Sequence, residues 1–165
     1  MTAAIILALV TLQRLGELVL AQRNTRALLA RGAHEVAPGH YPLIVAVHAG
    51  WLAALWWFAP GRPVAWPLIG IFVLLQLGRL WVLATLRRRW TTRIIVLPGA
   101  PLVERGPFRF VRHPNYLVVV GEIAVLPLAF GLWTVAILFS LLNAAVLSVR
   151  IRAEQTALDR APASG

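Results

Sequence analysis

The chain has 165 residues, is 59% hydrophobic and only 13% charged, and has a mean hydropathy of +0.76. Soluble domains are ~45–50% apolar and ~25% charged, so there is too little polar surface here to cover a water-soluble globule; disorder and collagen-like repetition are excluded as well. Sixteen arginines, no lysine and six acids give a net charge of +10, and the absence of cysteine removes disulfides, thiolate metal sites and a cysteine nucleophile.

Five apolar segments follow one another, at about 2–21, 41–59, 65–86, 116–130 and 132–149. The first three approach the ~20 residues that cross a bilayer as helix. The first lacks a basic leading region and a small-residue cleavage site, so it reads as a span and not as a cleavable signal. The last two are separated only by Gly131 and read as a tight helical hairpin, because one helix over all 34 residues of 116–149 would be ~50 Å long. The prediction is an all-α polytopic integral membrane protein with five transmembrane helices in a single domain, 1–165. The tail 161–165 reads as frayed.

Arginine placement orients this arrangement. Arg23, Arg26 and Arg31 follow the first segment. Seven more lie between the third and fourth, and Arg150, Arg152 and Arg160 follow the fifth. With five spans these regions share one side and hold 13 of the 16 arginines, whereas the opposite side holds only Arg62. The positive-inside rule then puts the N-terminus outside and the arginine-rich side in the cytoplasm. Arginines beside apolar runs point to anionic lipid headgroups as partners, not to nucleic acid, which is read by basic stripes on soluble folds. The oligomeric state is not legible.

The longest polar stretch, 87–115, contains four prolines and two glycines, which fix turns and predict a segment folded back against the membrane surface. At its end, Pro114 suits the first turn of a helix. His113 would then sit at the mouth of that helix, where free backbone N–H groups favour an anion. The plain alternative is a juxtamembrane helix start with interfacial side chains. Arg150 and Glu154, in RIRAEQ, share one helical face; they form either an exposed ion pair or part of a site. Arg14, Glu17, Gln76, Arg79, Glu122 and Asn143 lie inside the apolar segments and are expected to face the interior, as a network holding the helices or as the wall of a substrate cavity. His40 and His48 would border an entrance or simply pack. His34 reads as a headgroup-level residue, the tryptophans as belt or packing residues, and no metal site is expected.

The stretch APLVERGPFRFVRHPNY at 100–116, followed after a short two-helix hairpin by the Arg150-to-Glu154 spacing, resembles the isoprenylcysteine carboxyl methyltransferase family of membrane enzymes. The N-terminal half, with ARGAHEVAPGHYPLIVAVHAGW, is similar to its short bacterial branch, some members of which O-methylate alkylpyrones or alkylresorcinols. The resemblance implies S-adenosyl-L-methionine as cofactor, bound within about 87–160. Its contacts would be Ala100, Pro101, Leu102, Val103, Phe108, His113, Pro114, Asn115, Tyr116 and Glu154. Arg150 would bind the acceptor, and Arg150 and Glu154 would be the catalytic pair. Three positions depart from the family pattern: Phe108 stands where tyrosine is usual, Ala100 where histidine is frequent, and Gln155 follows Glu154 in place of a second acid. These departures weaken a prenylcysteine substrate more than methyl transfer itself.

The resulting expectation is an O-methyltransferase at the cytoplasmic face of the bacterial inner membrane. It would take a lipophilic carboxylate, enol or phenol from the bilayer. Two other readings stand beside it: an NADPH-dependent reductase, since sterol reductases resemble the same C-terminal pattern, and a non-catalytic membrane lipid-binding protein.

Overall fold

The computed structural model describes residues 1–101 and 103–160, without the side chains at 155 and 157–160, so Leu102 and the tail 161–165 lie outside the described residues. Helix α1 (Thr2–Leu29) continues past the end of its apolar segment. Between the end of that segment and Gly32 there is neither glycine nor proline, and leucine, glutamine and arginine are good helix formers, so Arg23 and Arg26 extend the helix instead of following it. After a turn, α2 (Tyr41–Phe58) and α3 (Trp66–Leu86) each begin with proline in the first turn, where a missing N–H costs nothing. Helix α4 (Pro114–Ala129) starts on Pro114, as the sequence predicts, with His113 at the N-cap. Helix α5 (Trp133–Arg160) is longer than its apolar segment, so that Arg150, Arg152 and Glu154 stand on a continuous helix.

The α4–α5 turn has a specific local cause. Gly131 has φ +68, its N–H bonds the Leu128 carbonyl at 2.9 Å, and the Leu132 N–H bonds the Pro127 carbonyl at 2.9 Å. This pair of bonds satisfies the last carbonyls of α4 and needs a left-handed residue at the turn, which glycine supplies without strain. The predicted hairpin is therefore present.

Among the described residues, four helices are long and apolar enough to cross a membrane. Helix α4, with 16 residues, is shorter. It sits between α3 and α5 and buries Val118, Glu122, Ile123, Leu126 and Ala129, so protein surrounds most of it. Leu7, Trp51, Leu55, Phe72, Ile123 and Leu126 form the main core, and the Trp51 indole donates to the Ile123 carbonyl at 3.2 Å. Most other large apolar side chains of α1, α3 and α5 face outward, as expected where the solvent is lipid.

The helical expectation has one exception. Strand β1 (His34–Glu35) pairs antiparallel with β2 (Ile95–Val96), placing His34 opposite Val96 and Glu35 opposite Ile95. Two residues per strand give no apolar alternation, so the sequence carried no signal for this pair. It fastens the 87–113 segment to the end of α1. That segment is a built wall, with 3₁₀ turns at Arg87–Arg89 and Gly106–Arg109.

Candidate active site

Helices α4 and α5 bring Tyr116 beside Arg150 and Glu154. The Arg150 Nε donates to the Tyr116 hydroxyl at 2.9 Å, and that hydroxyl donates to Glu154 Oε2 at 2.5 Å. The tyrosine oxygen is therefore the joint between cation and anion, and among the described residues Arg150 and Glu154 form no direct ion pair. His113 stacks on the Tyr116 ring with centroids 5.0 Å apart, and its Nδ1 lies 3.7 Å from Glu154 Oε2, beyond a hydrogen bond. The Arg150 guanidinium also donates through Nη1 to the Thr92 carbonyl at 2.7 Å, which ties α5 to the loop wall.

The wall is fixed from below and behind. Asn24, buried on α1, donates to the carbonyls of Arg87 at 3.1 Å and Trp90 at 2.8 Å. Trp90 packs with Ala21 and Val82. The turn carrying Phe108 rests on α3 through Gly106, whose φ is +61 and whose position leaves no room for a Cβ against the Thr85 side chain. Arg93 binds both Glu35 carboxylate oxygens at 2.9 Å and lies 4.3 Å above the Tyr41 ring.

Two cavities meet at this joint. One of 920 Å³ lies between the 87–113 wall and the start of α4, with Phe108, His113 and Glu154 on its surface. The other, 320 Å³, runs among α1, α2 and α5 and is lined largely by apolar side chains such as Leu15, Ile44, Leu52 and Val146. Trp90, Thr91, Asn115, Tyr116 and Arg150 line both. Asn115 Oδ1 and Trp90 Nε1 are buried and, among the described residues, have no hydrogen-bond partner.

The profile of the Isoprenylcysteine carboxyl methyltransferase (ICMT) family matches residues 68–160, more than half of the chain. The chain belongs to this family. Among curated relatives, the uncharacterized protein YpbQ of Bacillus subtilis (strain 168) is 36% identical over 159 residues, which cover 93% of this chain and 95% of that one. An uncharacterized protein of Haemophilus influenzae is 28% identical over 163 residues, covering 95% and 92% respectively. No solved structure gives a significant match.

Membership makes the chain a membrane methyltransferase and gives the geometry its meaning. Of the site residues expected from the sequence, Val103, Phe108, His113, Pro114, Asn115, Tyr116, Arg150 and Glu154 all line the larger cavity. Ala100 and Pro101 stand off its wall; the Pro101 carbonyl accepts from Arg89 Nη1 at 2.8 Å, closing the loop behind it. Leu102 is outside the described residues.

Sequence reasoning missed Asn24, Thr92 and the dual position of Trp90. A lone asparagine in the arginine-rich end of a helix was the available signal for the first, since a buried amide needs partners supplied by another segment. The intramembrane polar residues do gather. Glu122 accepts from Arg79 through both carboxylate oxygens, from Arg14 at 2.7 Å and from Gln76 at 2.6 Å; Glu17 accepts from Arg79 at 3.0 Å and Arg14 at 3.1 Å. The group ties α1, α3 and α4 together, and Arg14, Glu17 and Arg79 also reach the smaller cavity.

Proposed function

We propose that the protein is an S-adenosylmethionine-dependent O-methyltransferase of the inner membrane, active at the cytoplasmic face on a lipophilic carboxylate, enol or phenol. The chain would cross the bilayer five times with its N-terminus outside. In that topology α4 spans as a short helix sheathed by its neighbours, and 13 of 16 arginines lie inside. One observation carries the reading: a large cavity of mixed lining, rich in arginine, and a smaller, mainly apolar one share the Asn115–Tyr116–Arg150 surface. A two-substrate transfer between a water-borne donor and a membrane-borne acceptor needs this adjacency.

The residues present fit the cofactor. Glu154, its side chain 30% exposed, uses only Oε2 on Tyr116 among the described residues, which leaves Oε1 as an acceptor suited to amino and hydroxyl donors. Phe108 offers an apolar face on the same wall. When bound, S-adenosylmethionine supplies a sulfonium methyl group, and its transfer to an acceptor oxygen leaves S-adenosylhomocysteine.

Arg150 holds the acceptor oxygen. Its Nε and Nη1 are engaged by Tyr116 and Thr92, which fixes the guanidinium plane and leaves Nη2 for an anionic oxygen. Tyr116 passes that orientation to Glu154 through a single hydroxyl. A carboxylate acceptor needs no base; with a neutral phenol, Glu154 or His113 is the group in reach to take the proton. Holding the two reactants in line and excluding water supplies the acceleration.

Calorimetry on the purified protein in detergent tests this. Micromolar binding of S-adenosylmethionine, lost in His113→Ala and Glu154→Ala, is the expected result. Binding of NADPH alone would overturn the transferase reading in favour of a reductase, and binding of neither would favour a non-catalytic lipid-binding protein.

A further inference from the structure

The smaller cavity does not end on hydrocarbon. Counted from the mouth where the two cavities meet, three helices carry a polar side chain about two turns deeper. Asn143 precedes Arg150 by seven residues on α5, His48 follows Tyr41 by seven on α2, and Glu122 follows Tyr116 by six on α4. Seven residues of helix advance ~10 Å, so these groups form a polar layer at one depth. Asn143 and His48 line the cavity there together with Arg14, Glu17 and Arg79, while apolar side chains such as Val119, Val146 and Leu147 line the stretch between layer and mouth.

Two side chains in this layer keep polar atoms without partners among the described residues. Asn143 is only 5% exposed and makes no side-chain hydrogen bond there. His48 uses Nδ1 on the Ile44 carbonyl at 2.8 Å, and its other ring nitrogen makes none. A hydrocarbon tail laid against these groups would leave every one of them unsatisfied. The charges beside them, by contrast, are balanced: Arg14 and Arg79 against Glu17 and Glu122. A further charge arriving there would be uncompensated in a low-dielectric setting, whereas a neutral polar group would not.

From this we propose that the acceptor is a two-ended amphiphile. One end carries the oxygen held by Arg150. The other carries a neutral hydrogen-bonding group, a hydroxyl or carbonyl, that reaches Asn143 and His48 across about eight carbon–carbon bonds of ~1.5 Å in zigzag. This rests on the methyltransferase reading and deepens it: the cavity selects a medium-length, terminally oxygenated chain over a plain alkyl one.

The test uses the full chain in detergent, saturated with S-adenosylhomocysteine so that no turnover occurs. Decanoic acid and ω-hydroxydecanoic acid are titrated into wild type and Asn143→Leu by calorimetry. The ratio of the two affinities is compared between the proteins, which cancels partitioning into micelles. The hydroxy acid is expected to gain about fivefold over decanoic acid in wild type relative to the variant. His48→Leu should reduce the same ratio in the same direction and serves if Asn143→Leu fails to bind the cofactor product. Equal ratios in wild type and variants, or no binding of either probe by wild type, would overturn the proposal. Decanedioic acid binding as tightly as the hydroxy acid would overturn the requirement for a neutral group. Failure of wild type to bind S-adenosylhomocysteine has a separate signature, since it strikes the methyltransferase reading itself.

Discussion

Two clusters built from the same side-chain types sit one above the other, and they differ in how completely they satisfy themselves. The deep one joins Arg14, Glu17, Arg79 and Glu122; its Arg79 and Glu122 side chains are 3% and 1% exposed, and each acid accepts from both arginines. The mouth cluster joins His113, Tyr116, Arg150 and Glu154, with His113 and Glu154 side chains 28% and 30% exposed. Its cation and anion touch only through the tyrosine hydroxyl, and its histidine stops short of a hydrogen bond. Saturated charges hold helices together, whereas unspent donors and acceptors beside a cavity are what a ligand uses. The contrast teaches that charge alone does not mark the site; unspent hydrogen-bonding capacity does.

The sharpest way to break this comparison is to remove the centre of the deep cluster. Glu122→Ala leaves Arg79 buried beside only Glu17, and breaking a buried ion pair from one side costs about 3–5 kcal/mol. The expected outcome is a fall in Tm of roughly 10 °C or more in detergent, followed by circular dichroism. A change of a degree or two would mean that the deep charges are solvated through the cavity they border, and the division into scaffold and site would collapse.

A smaller effect on stability and a larger one on binding is expected at the mouth. Tyr116→Phe removes the single oxygen that accepts from Arg150 and donates to Glu154 while keeping the ring on which His113 stacks. Hydrogen bonds to charged groups are worth ~1.5–3 kcal/mol, so S-adenosylmethionine affinity should fall about tenfold or more as Glu154 loses its anchor. Packing is retained, so Tm should move by only a few degrees. The reverse pattern, intact binding with a large loss of stability, would make Tyr116 part of the scaffold.

The legibility of the two clusters in the sequence also differed. The deep residues announced themselves singly, because an ionisable group in an apolar run must find a partner, but their mutual pairing depends on how α1, α3 and α4 rotate, which spacing does not encode. At the mouth, Arg150 and Glu154 share a face by their spacing of four, and Pro114 marked a helix start. Their connection through Tyr116 required the Gly131 turn to set the register between α4 and α5. Helix α1 runs past its apolar segment because the polar residues that follow are also good helix formers, an end that apolarity does not mark. The latch of β1 on β2 was invisible because it rests on two residues per strand and on partners far apart in the chain, Glu35 with Ile95 and His34 with Val96.

That latch supplies the mildest prediction. Arg93 Nη1 alone donates to both Glu35 oxygens at 2.9 Å, and their side chains are 40% and 22% exposed, so screening leaves the pair worth no more than ~0.2–1 kcal/mol. Glu35→Ala should therefore lower Tm by at most a few degrees, and the difference from wild type should vanish at about 1 M salt, where the screening length is ~3 Å. Arg93→Ala should cost somewhat more, because it also removes the cation from above Tyr41, whose hydroxyl lies 3.2 Å from the Thr92 hydroxyl on the wall. Cofactor affinity should stay within about twofold in Glu35→Ala, since the wall is still held by Asn24 and by Arg150 on the Thr92 carbonyl. A tenfold loss of affinity from so exposed a pair would mean that the latch, and not the α4–α5 hairpin, sets the width of the larger cavity.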